Sequence, residues 1–183
     1  MLHRLDRRAS NRVRNVKISV LIMCLWKQLS RVGGIPLATA RPLLDKLGRT
    51  VTYMGGSGAG EAAKATNQIM CAGIIQAVAE AMAFAKAEGL PLDRLIETLG
   101  KGAGSSWYFV NRAPFMANER YPAGFRVRLH DKDLRICRQM AAAHGATLPV
   151  VESTLAEYER LIAEGHGDED ISAIYRLKSL LFR

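Results

Sequence analysis

The longest regular pattern in the chain is a stripe of apolar residues between positions 60 and 88. Apolar side chains recur at intervals of three or four residues from Cys71 through Val78 to Met82, and alanine fills many positions between them. We predict one helix over about 60–88, which would be roughly 42 Å long. One small bundle cannot cover that length, so we expect either a partner subunit or an exposed apolar patch.

Shorter periodic segments follow the long helix and are separated by glycine and proline. Pro149 suits the first turn of a helix, and Asp168 or Asp170 is a suitable cap for the last one. Strand-like sequence is confined to 50–53, and 119–128 is irregular. The pattern therefore predicts an all-α helical bundle, with further helices over about 92–100, 105–117, 129–144, 149–164 and 170–181.

A glycine-rich turn leads into the long helix, and two polar residues, Lys64 and Asn67, lie at the start of its apolar stripe. Glycines relax the backbone there and let another molecule approach the main chain. A lysine in this position suits a general acid/base. The structural alternative is an exposed Lys64 that pairs with Glu61, with Asn67 as an ordinary helix residue. Spacing alone favours that structural alternative.

Residues 58–63 also satisfy the loose dinucleotide fingerprint G-x-G-x-x-G/A. That fingerprint needs a second parallel strand about thirty residues further on, with an acidic residue for the ribose. Here 62–88 continues as one alanine-rich helix, and the P-loop pattern fails because Ala65 follows Lys64. The turn is therefore not interpreted as a nucleotide cradle.

Positive charge is concentrated at the start of the chain. The net charge is +9, of which residues 1–31 contribute +7, with eight basic residues against Asp6 alone. A basic arm of this kind suits nucleic acid, an acidic membrane surface or an organelle-targeting presequence. The apolar run Val20–Trp26 has seven residues, far fewer than the roughly twenty that span a bilayer.

Cysteine and histidine usage gives no sign of a metal site or a disulfide framework. The three cysteines are scattered without a C-x-x-C pair, and the four histidines have no ligand spacing on one helix face. Cys71 lies on the apolar stripe, where we expect it to pack as a small hydrophobic residue. We predict no metal site.

The glycine turn and its two polar residues resemble a known family, the NAD(P)-dependent β-hydroxyacid dehydrogenases, which include 3-hydroxyisobutyrate dehydrogenase and tartronate semialdehyde reductase. The hinge motif of that family reads approximately G-x-x-G-x-G-x-x-x-K-x-x-N, and Gly55, Gly58, Gly60, Lys64 and Asn67 occupy its fixed positions. The resemblance runs from about 32 to 178 and includes later blocks at 102–108, 111–114, Phe125, 132–134 and 165–172.

The resemblance implies roles for individual residues. Lys64 would be the catalytic acid/base, Asn67 with Gly58 and Gly60 would bind the substrate, and Lys132 would contact the NAD or NADP cofactor. The family usually has a second asparagine after the first, and this chain has Gln68 there, which leaves the polar contacts around the lysine open.

Two of these segments also have structural interpretations. Lys132 could be a solvated charge on a helix whose apolar positions are Leu129, Leu134, Ile136 and Met140. We expect Ser105 or Ser106 to cap the following helix. Trp107 and Phe109 are expected in the core or at an interface.

The resemblance also implies a domain organisation. We expect residues 1–31 to be a poorly ordered segment foreign to the family, 32–59 to be the end of a Rossmann domain and hinge, and 60–183 to be a helical domain like the C-terminal domain of 6-phosphogluconate dehydrogenase. The residues before Val32 are too few for the first βαβ unit and the strands that follow it, so we expect the dinucleotide-binding domain to be missing.

Two functions of different class follow. The first is the catalytic-lysine half of an oxidoreductase for a small β-hydroxyacid, inactive as this isolated chain. The alternative is a non-enzymatic remnant that serves dimerisation or partner binding. In either case the resemblance implies a homodimer formed through the helical domain, and we expect a cytoplasmic protein without a nucleic-acid partner or a membrane span.

Overall fold

The computed structural model describes residues 37–47, 51–56 and 58–182. The predicted basic segment 1–31 and the 32–34 part of the resemblance lie outside the described residues. The chain divides into two compact units, Met1–Lys64 and Ala65–Arg183. The division falls between Lys64 and Ala65, within the residue range of the long helix.

The first unit contains helix α1 (Leu37–Leu47) and the approach to the long helix. Leu44 is buried, and Arg41 pairs with Asp45 one turn later on the exposed face, at 3.3 Å. Residues 51–53 of the strand-like sequence have no regular structure. A strand is stable only when a neighbour pairs with its backbone, and the described part of the chain offers no strand to pair with.

The long helix α2 (Ala59–Ala87) confirms the predicted 60–88 helix to within one residue at each end. The predicted stripe is buried at Cys71, Ile75, Val78 and Met82, as the helical period requires. Alanine between these positions has the highest helix propensity and lets neighbouring helices approach closely. This stripe forms one wall of the core of the second unit.

By length and apolar composition, α2 is the one described helix that could cross a membrane. Half of its most apolar window is buried inside the protein. Its buried side includes polar Gln68, which hydrogen-bonds to another helix. These features identify α2 as the core helix of a globular domain.

The remaining long helices of the second unit are α3 (Leu92–Leu99), α4 (Trp107–Ala117), α5 (Val127–Ala142) and α6 (Pro149–Ala163). Helix α3 contacts α4, and α5 contacts α6. Ser106 caps α4, since its Oγ accepts a hydrogen bond from Phe109 N at 3.0 Å, which confirms the predicted serine cap. Phe109 is buried as predicted, whereas Trp107 is 57% exposed and therefore not a core residue.

The buried face of α5 differs from the one predicted. Leu134 is buried, but Leu129 and Ile136 are each 44% exposed. The residue that turns this face inward is His130, which is completely buried and hydrogen-bonded through both ring nitrogens. A histidine whose two ring nitrogens are both hydrogen-bonded can occupy a core position.

The predicted last helix over 170–181 is broken into three short pieces. They are a 3₁₀ turn (Ile171–Ile174), α7 (Tyr175–Lys178) and a second 3₁₀ turn (Ser179–Phe182). Residues 171–175 are buried on every side, whereas an α-helix at a surface leaves one face exposed. Packing therefore overrides the helical pattern there.

Asp170 anchors this segment and is confirmed as its cap. Its carboxylate is completely buried and accepts hydrogen bonds from Ser172 N, Ser172 Oγ and Phe125 N at 2.8–3.0 Å. Arg112 Nε lies 3.1 Å from it as an ion pair. Gly124 is required beside it, since a Cβ there would lie 2.5 Å from Asp170 Oδ2.

Candidate functional site

The glycine turn of the first unit has the backbone geometry that its sequence predicts. Gly55 and Gly58 have φ values of +129° and +91°, which side-chain-bearing residues rarely adopt. A Cβ at Gly58 would meet nothing within 4 Å, so the backbone is open on that side. Gly60 lies in the first turn of α2, and Lys64 follows about one turn later with its side chain partly buried.

Asn67 and Lys132, which come from separate segments of the second unit, are joined by a row of hydrogen bonds. Asn67 Nδ2 donates to Gln68 Oε1 at 3.0 Å, and Gln68 Nε2 donates to Asp133 Oδ2 at 2.9 Å. The row ends at Lys132, whose Nζ lies 2.8 Å from Asp133 Oδ1. Gln68 and Asp133 are buried, while Asn67 and Lys132 are exposed. Two buried side chains therefore connect two exposed ones.

Gln68 is also held through its backbone by α5. His130 Nε2 lies 3.2 Å from Gln68 O, and a carbonyl oxygen can only accept, so Nε2 carries the proton. His130 Nδ1 then accepts from the Tyr158 hydroxyl at 3.0 Å. Burial lowers the pKa of His130 from 6.5 to about 4, although the Gln68 carbonyl and the carboxylates of Asp133 and Asp131 favour its charged form. The imidazole is neutral at physiological pH and has a positioning role.

A second polar cluster lies beside Asn67. Its Nδ2 also contacts Cys71 Sγ at 3.5 Å, and Tyr108 hydrogen-bonds to the same thiol. Burial raises the pKa of the Cys71 thiol by more than these hydrogen bonds lower it, and burial likewise raises the pKa of Tyr108. Both groups remain protonated at neutral pH, so Cys71 is a packed, unreactive thiol, in agreement with the prediction that it behaves as a hydrophobic residue.

The predicted site residues are therefore placed as follows. Asn67 and Lys132 belong to one hydrogen-bonded row, and Lys64 precedes Asn67 by three residues on the same continuous helix. Gly58 and Gly60 belong to the turn and first helical residues before Lys64. Lys132 is 61% exposed, and its pairing with Asp133 is compatible with either a solvated charge or a cofactor contact.

Reasoning from sequence missed three residues of this site, namely Gln68, Asp133 and His130. Gln68 was noted only as a departure from the family motif. A polar side chain one residue after Asn67 and an acidic one directly after Lys132 were the available signals. Neither spacing reveals that α2 and α5 bring those two side chains to within 2.9 Å.

A cleft of about 180 Å³ lies at the other end of α2, between Ala83 and the C-terminal segment at Tyr175 and Phe182. Ala83 is sixteen residues after Asn67, about 24 Å along a helix axis. The Tyr175 hydroxyl is buried there without a hydrogen-bond partner among the described residues. The cleft is separate from the row of hydrogen bonds at Asn67.

Comparison with known proteins relates this geometry to a family. Residues 58–178 match a family model described as "NAD-binding of NADP-dependent 3-hydroxyisobutyrate dehydrogenase". The 2-hydroxy-3-oxopropionate reductase of Escherichia coli is 33% identical over 141 residues, which cover 77% of this chain and 48% of that protein. The NAD-dependent L-serine dehydrogenase of Pseudomonas aeruginosa is 31% identical over 150 residues, which cover 77% of this chain and 50% of that protein.

The fold is likewise that of solved relatives. The crystal structure of 3-hydroxyisobutyrate dehydrogenase from Salmonella typhimurium superimposes with a TM-score of 0.70 at 32% identity, covering 77% of this chain and 50% of that one. The match confirms the predicted all-α fold with its long central helix. The chain spans about half the length of the relatives it matches.

Proposed function

The chain belongs to the 3-hydroxyisobutyrate dehydrogenase family of NAD(P)-dependent oxidoreductases, and we propose that it supplies the helical, catalytic-lysine half of an active site for a small β-hydroxyacid. The observation that carries this proposal is the row from Asn67 through Gln68 and Asp133 to Lys132. A proposed substrate contact and a proposed cofactor contact, which lie far apart in sequence, are connected by two buried side chains.

In this proposal Lys64 moves the proton of the reaction. When the hydroxyacid is oxidised, the hydroxyl proton passes to Nζ of Lys64, and the hydrogen on the same carbon leaves with its electron pair as hydride. NAD(P), when bound, would supply the acceptor for that hydride. In the reverse direction Lys64 returns the proton to the oxygen of the carbonyl. Asn67 would bind the substrate.

One feature of the second unit fits an anionic dinucleotide. The ammonium of Lys132 is exposed and can meet a phosphate or a polar group of the cofactor. We assign Lys132 as the cofactor contact. The matched residues of this chain cover about half of each relative, and we expect tight cofactor binding to need a dinucleotide-binding domain as well.

Turnover tests the proposal. The chain is mixed with NAD or NADP, a panel of small β-hydroxyacids and a separately produced dinucleotide-binding domain from a relative, and NAD(P)H formation is followed. We expect no turnover from the chain alone. In the mixture, Lys64→Ala should lower the rate by about 10²- to 10⁴-fold, the range for loss of a general acid/base. Lys101→Ala, which removes an exposed lysine from a loop, is the matched control and should leave the rate unchanged.

Two outcomes would contradict the proposal. Equal turnover by wild type and Lys64→Ala would remove Lys64 from the chemistry. Association of the two domains without turnover of any hydroxyacid would favour the non-enzymatic alternative, in which the helices serve only for partner binding.

We also propose that the helical domain forms a homodimer. Phe84 of α2 is 52% exposed and contacts the 47% exposed Phe182 edge to face, with ring centroids 6.2 Å apart. Exposed aromatic pairs of this kind are typical of interfaces. Sedimentation equilibrium should give a dimer at micromolar concentration, and Phe84→Glu should shift it to monomer. A wild-type monomer would refute this.

A further inference from the structure

Asp133 determines which group donates and which accepts in each hydrogen bond of the row at Asn67. An ionised carboxylate has no proton to donate, so it can only accept. Asp133 accepts from Lys132 on one side and from Gln68 on the other. Gln68 must therefore turn its NH₂ group toward Asp133, which leaves its carbonyl oxygen to face Asn67.

The same constraint passes on to Asn67. Its carboxamide must offer an N–H to Gln68 Oε1, at 3.0 Å, and its nitrogen also contacts Cys71 Sγ, at 3.5 Å. The nitrogen is thus engaged on the protein side. The polar atom that remains for a ligand is Oδ1, which can only accept a hydrogen bond.

We infer that Gln68 and Asp133 are positioning residues that fix the polarity of Asn67, so that Asn67 Oδ1 accepts a hydrogen bond from a donor on the substrate, a hydroxyl or an ammonium group. The inference rests on the proposed function in so far as Asn67 contacts the substrate. It deepens that function, because it names the substrate group that Asn67 recognises. A ligand with only an acceptor at that position is rejected, since two acceptors would face each other.

Asp133→Asn gives a test with an unusual outcome, because it should reverse the row. Lys132 can still donate to the oxygen of Asn at position 133, whose NH₂ would then face Gln68. Gln68 would turn over and donate to Asn67 Oδ1, which leaves the Asn67 NH₂ for the ligand. Preference should therefore change from a donor ligand to an acceptor ligand.

The probes are 3-hydroxypropionate, whose hydroxyl donates, and 3-methoxypropionate, whose ether oxygen only accepts. Their dissociation constants are measured on the full chain by NMR titration. Wild type should bind the hydroxyacid about tenfold more tightly, as expected for one unsatisfied acceptor. Asp133→Asn should shift the ratio toward the ether by about tenfold or more. Gln68→Met, which keeps the shape but breaks the row, should bring the ratio to an intermediate value.

A measurement without ligand separates this inference from the proposed function. Exchange of the Asn67 side-chain NH₂ protons with water should be slowed in wild type and about tenfold faster in both Asp133→Asn and Gln68→Met. Lys132→Gln keeps the carboxylate of Asp133, so exchange at Asn67 should stay slow. It is the matched control for loss of the ion pair alone.

The outcomes are distinct. Equal exchange in wild type and both variants, or an unchanged ligand ratio in Asp133→Asn, would overturn the inference. Failure of both ligands to bind, together with the expected exchange rates, would contradict the proposed function but support the polarity of Asn67. If Asp133→Asn does not fold, Gln68→Met still decides, since a wild-type ratio in that variant would overturn the inference.

Discussion

His130 makes a quantitative prediction about stability at acid pH. Its ring is completely buried, and burial lowers its pKa from 6.5 to about 4. Above pH 6.5 the imidazole is neutral in both the folded and the unfolded chain, so its full contribution is present. As the pH falls toward 4, the unfolded chain binds a proton that the folded chain does not, and stability is lost. This pKa difference corresponds to about 3 kcal/mol in total.

The loss over an accessible range is smaller and can be measured. Between about pH 7.5 and pH 5, these two pKa values give a decrease of about 2 kcal/mol in the free energy of unfolding from His130 alone. Urea denaturation at both pH values measures the total decrease, to which other groups contribute. His130→Gln retains an N–H for the Gln68 carbonyl but cannot titrate. Its decrease should therefore be about 2 kcal/mol smaller than that of wild type.

Titration of His130 in the wild-type chain tests the same prediction without relying on the stability of His130→Gln. The ring signals of His130 in wild type, followed by NMR, should remain those of the neutral imidazole down to about pH 5. A midpoint at pH 6 or above would refute the reasoning. So would equal losses of stability in wild type and His130→Gln.

Three further predictions concern stability, each measured by urea denaturation at neutral pH. Asp170→Asn should lower the free energy of unfolding by about 3 kcal/mol, because it leaves Arg112 without its ion-pair partner in a partly buried site. Asp168→Asn removes the carboxylate of an ion pair whose aspartate is 62% exposed and should cost less than about 1 kcal/mol. Equal losses in the two variants would contradict this. Ser106→Ala should lower the free energy of unfolding by about 1 kcal/mol, because the N-terminal cap of α4 is lost. An unchanged free energy of unfolding would show that the Ser106 cap does not stabilise the helix. Tyr175→Phe should leave the free energy of unfolding unchanged or raise it by up to about 1 kcal/mol, since the buried hydroxyl has no hydrogen-bond partner among the described residues. A decrease of about 1 kcal/mol would mean that the hydroxyl does make a hydrogen bond.

Helices were predictable wherever one face is buried and the opposite face is exposed to solvent. The spacing from Cys71 to Met82 predicts α2 because one side of that helix packs and the other does not. The same reasoning failed at 171–175, where every side chain is buried and the period carries no information. It also failed on α5, where apolar Leu129 was expected inside and polar His130 was not. A histidine can be assigned to the core only when its hydrogen-bond partners are known, and the sequence does not show them.

The candidate site was predictable only where one helix carries all of it. Gly58, Gly60, Lys64 and Asn67 lie within ten residues, so the motif and the helical period place them together. Asp133 lies 65 residues after Gln68, and their contact depends on how α2 and α5 pack. Reasoning from sequence alone had no means of finding that contact.

Because α5 packs on α2, Gln68 affects both the stability of the fold and the orientation of Asn67. His130 and Asp133 lie one turn apart on α5, and both hold residue 68, His130 through the backbone carbonyl and Asp133 through the side chain. A proton forced onto His130 therefore acts directly on the residue that orients Asn67. Ligand binding by the folded chain should then weaken only as the pH approaches about 4, where the imidazole of the folded chain takes up its proton. An extended chain that merely carried the motif would have no such coupling, because it requires two helices to share one buried glutamine.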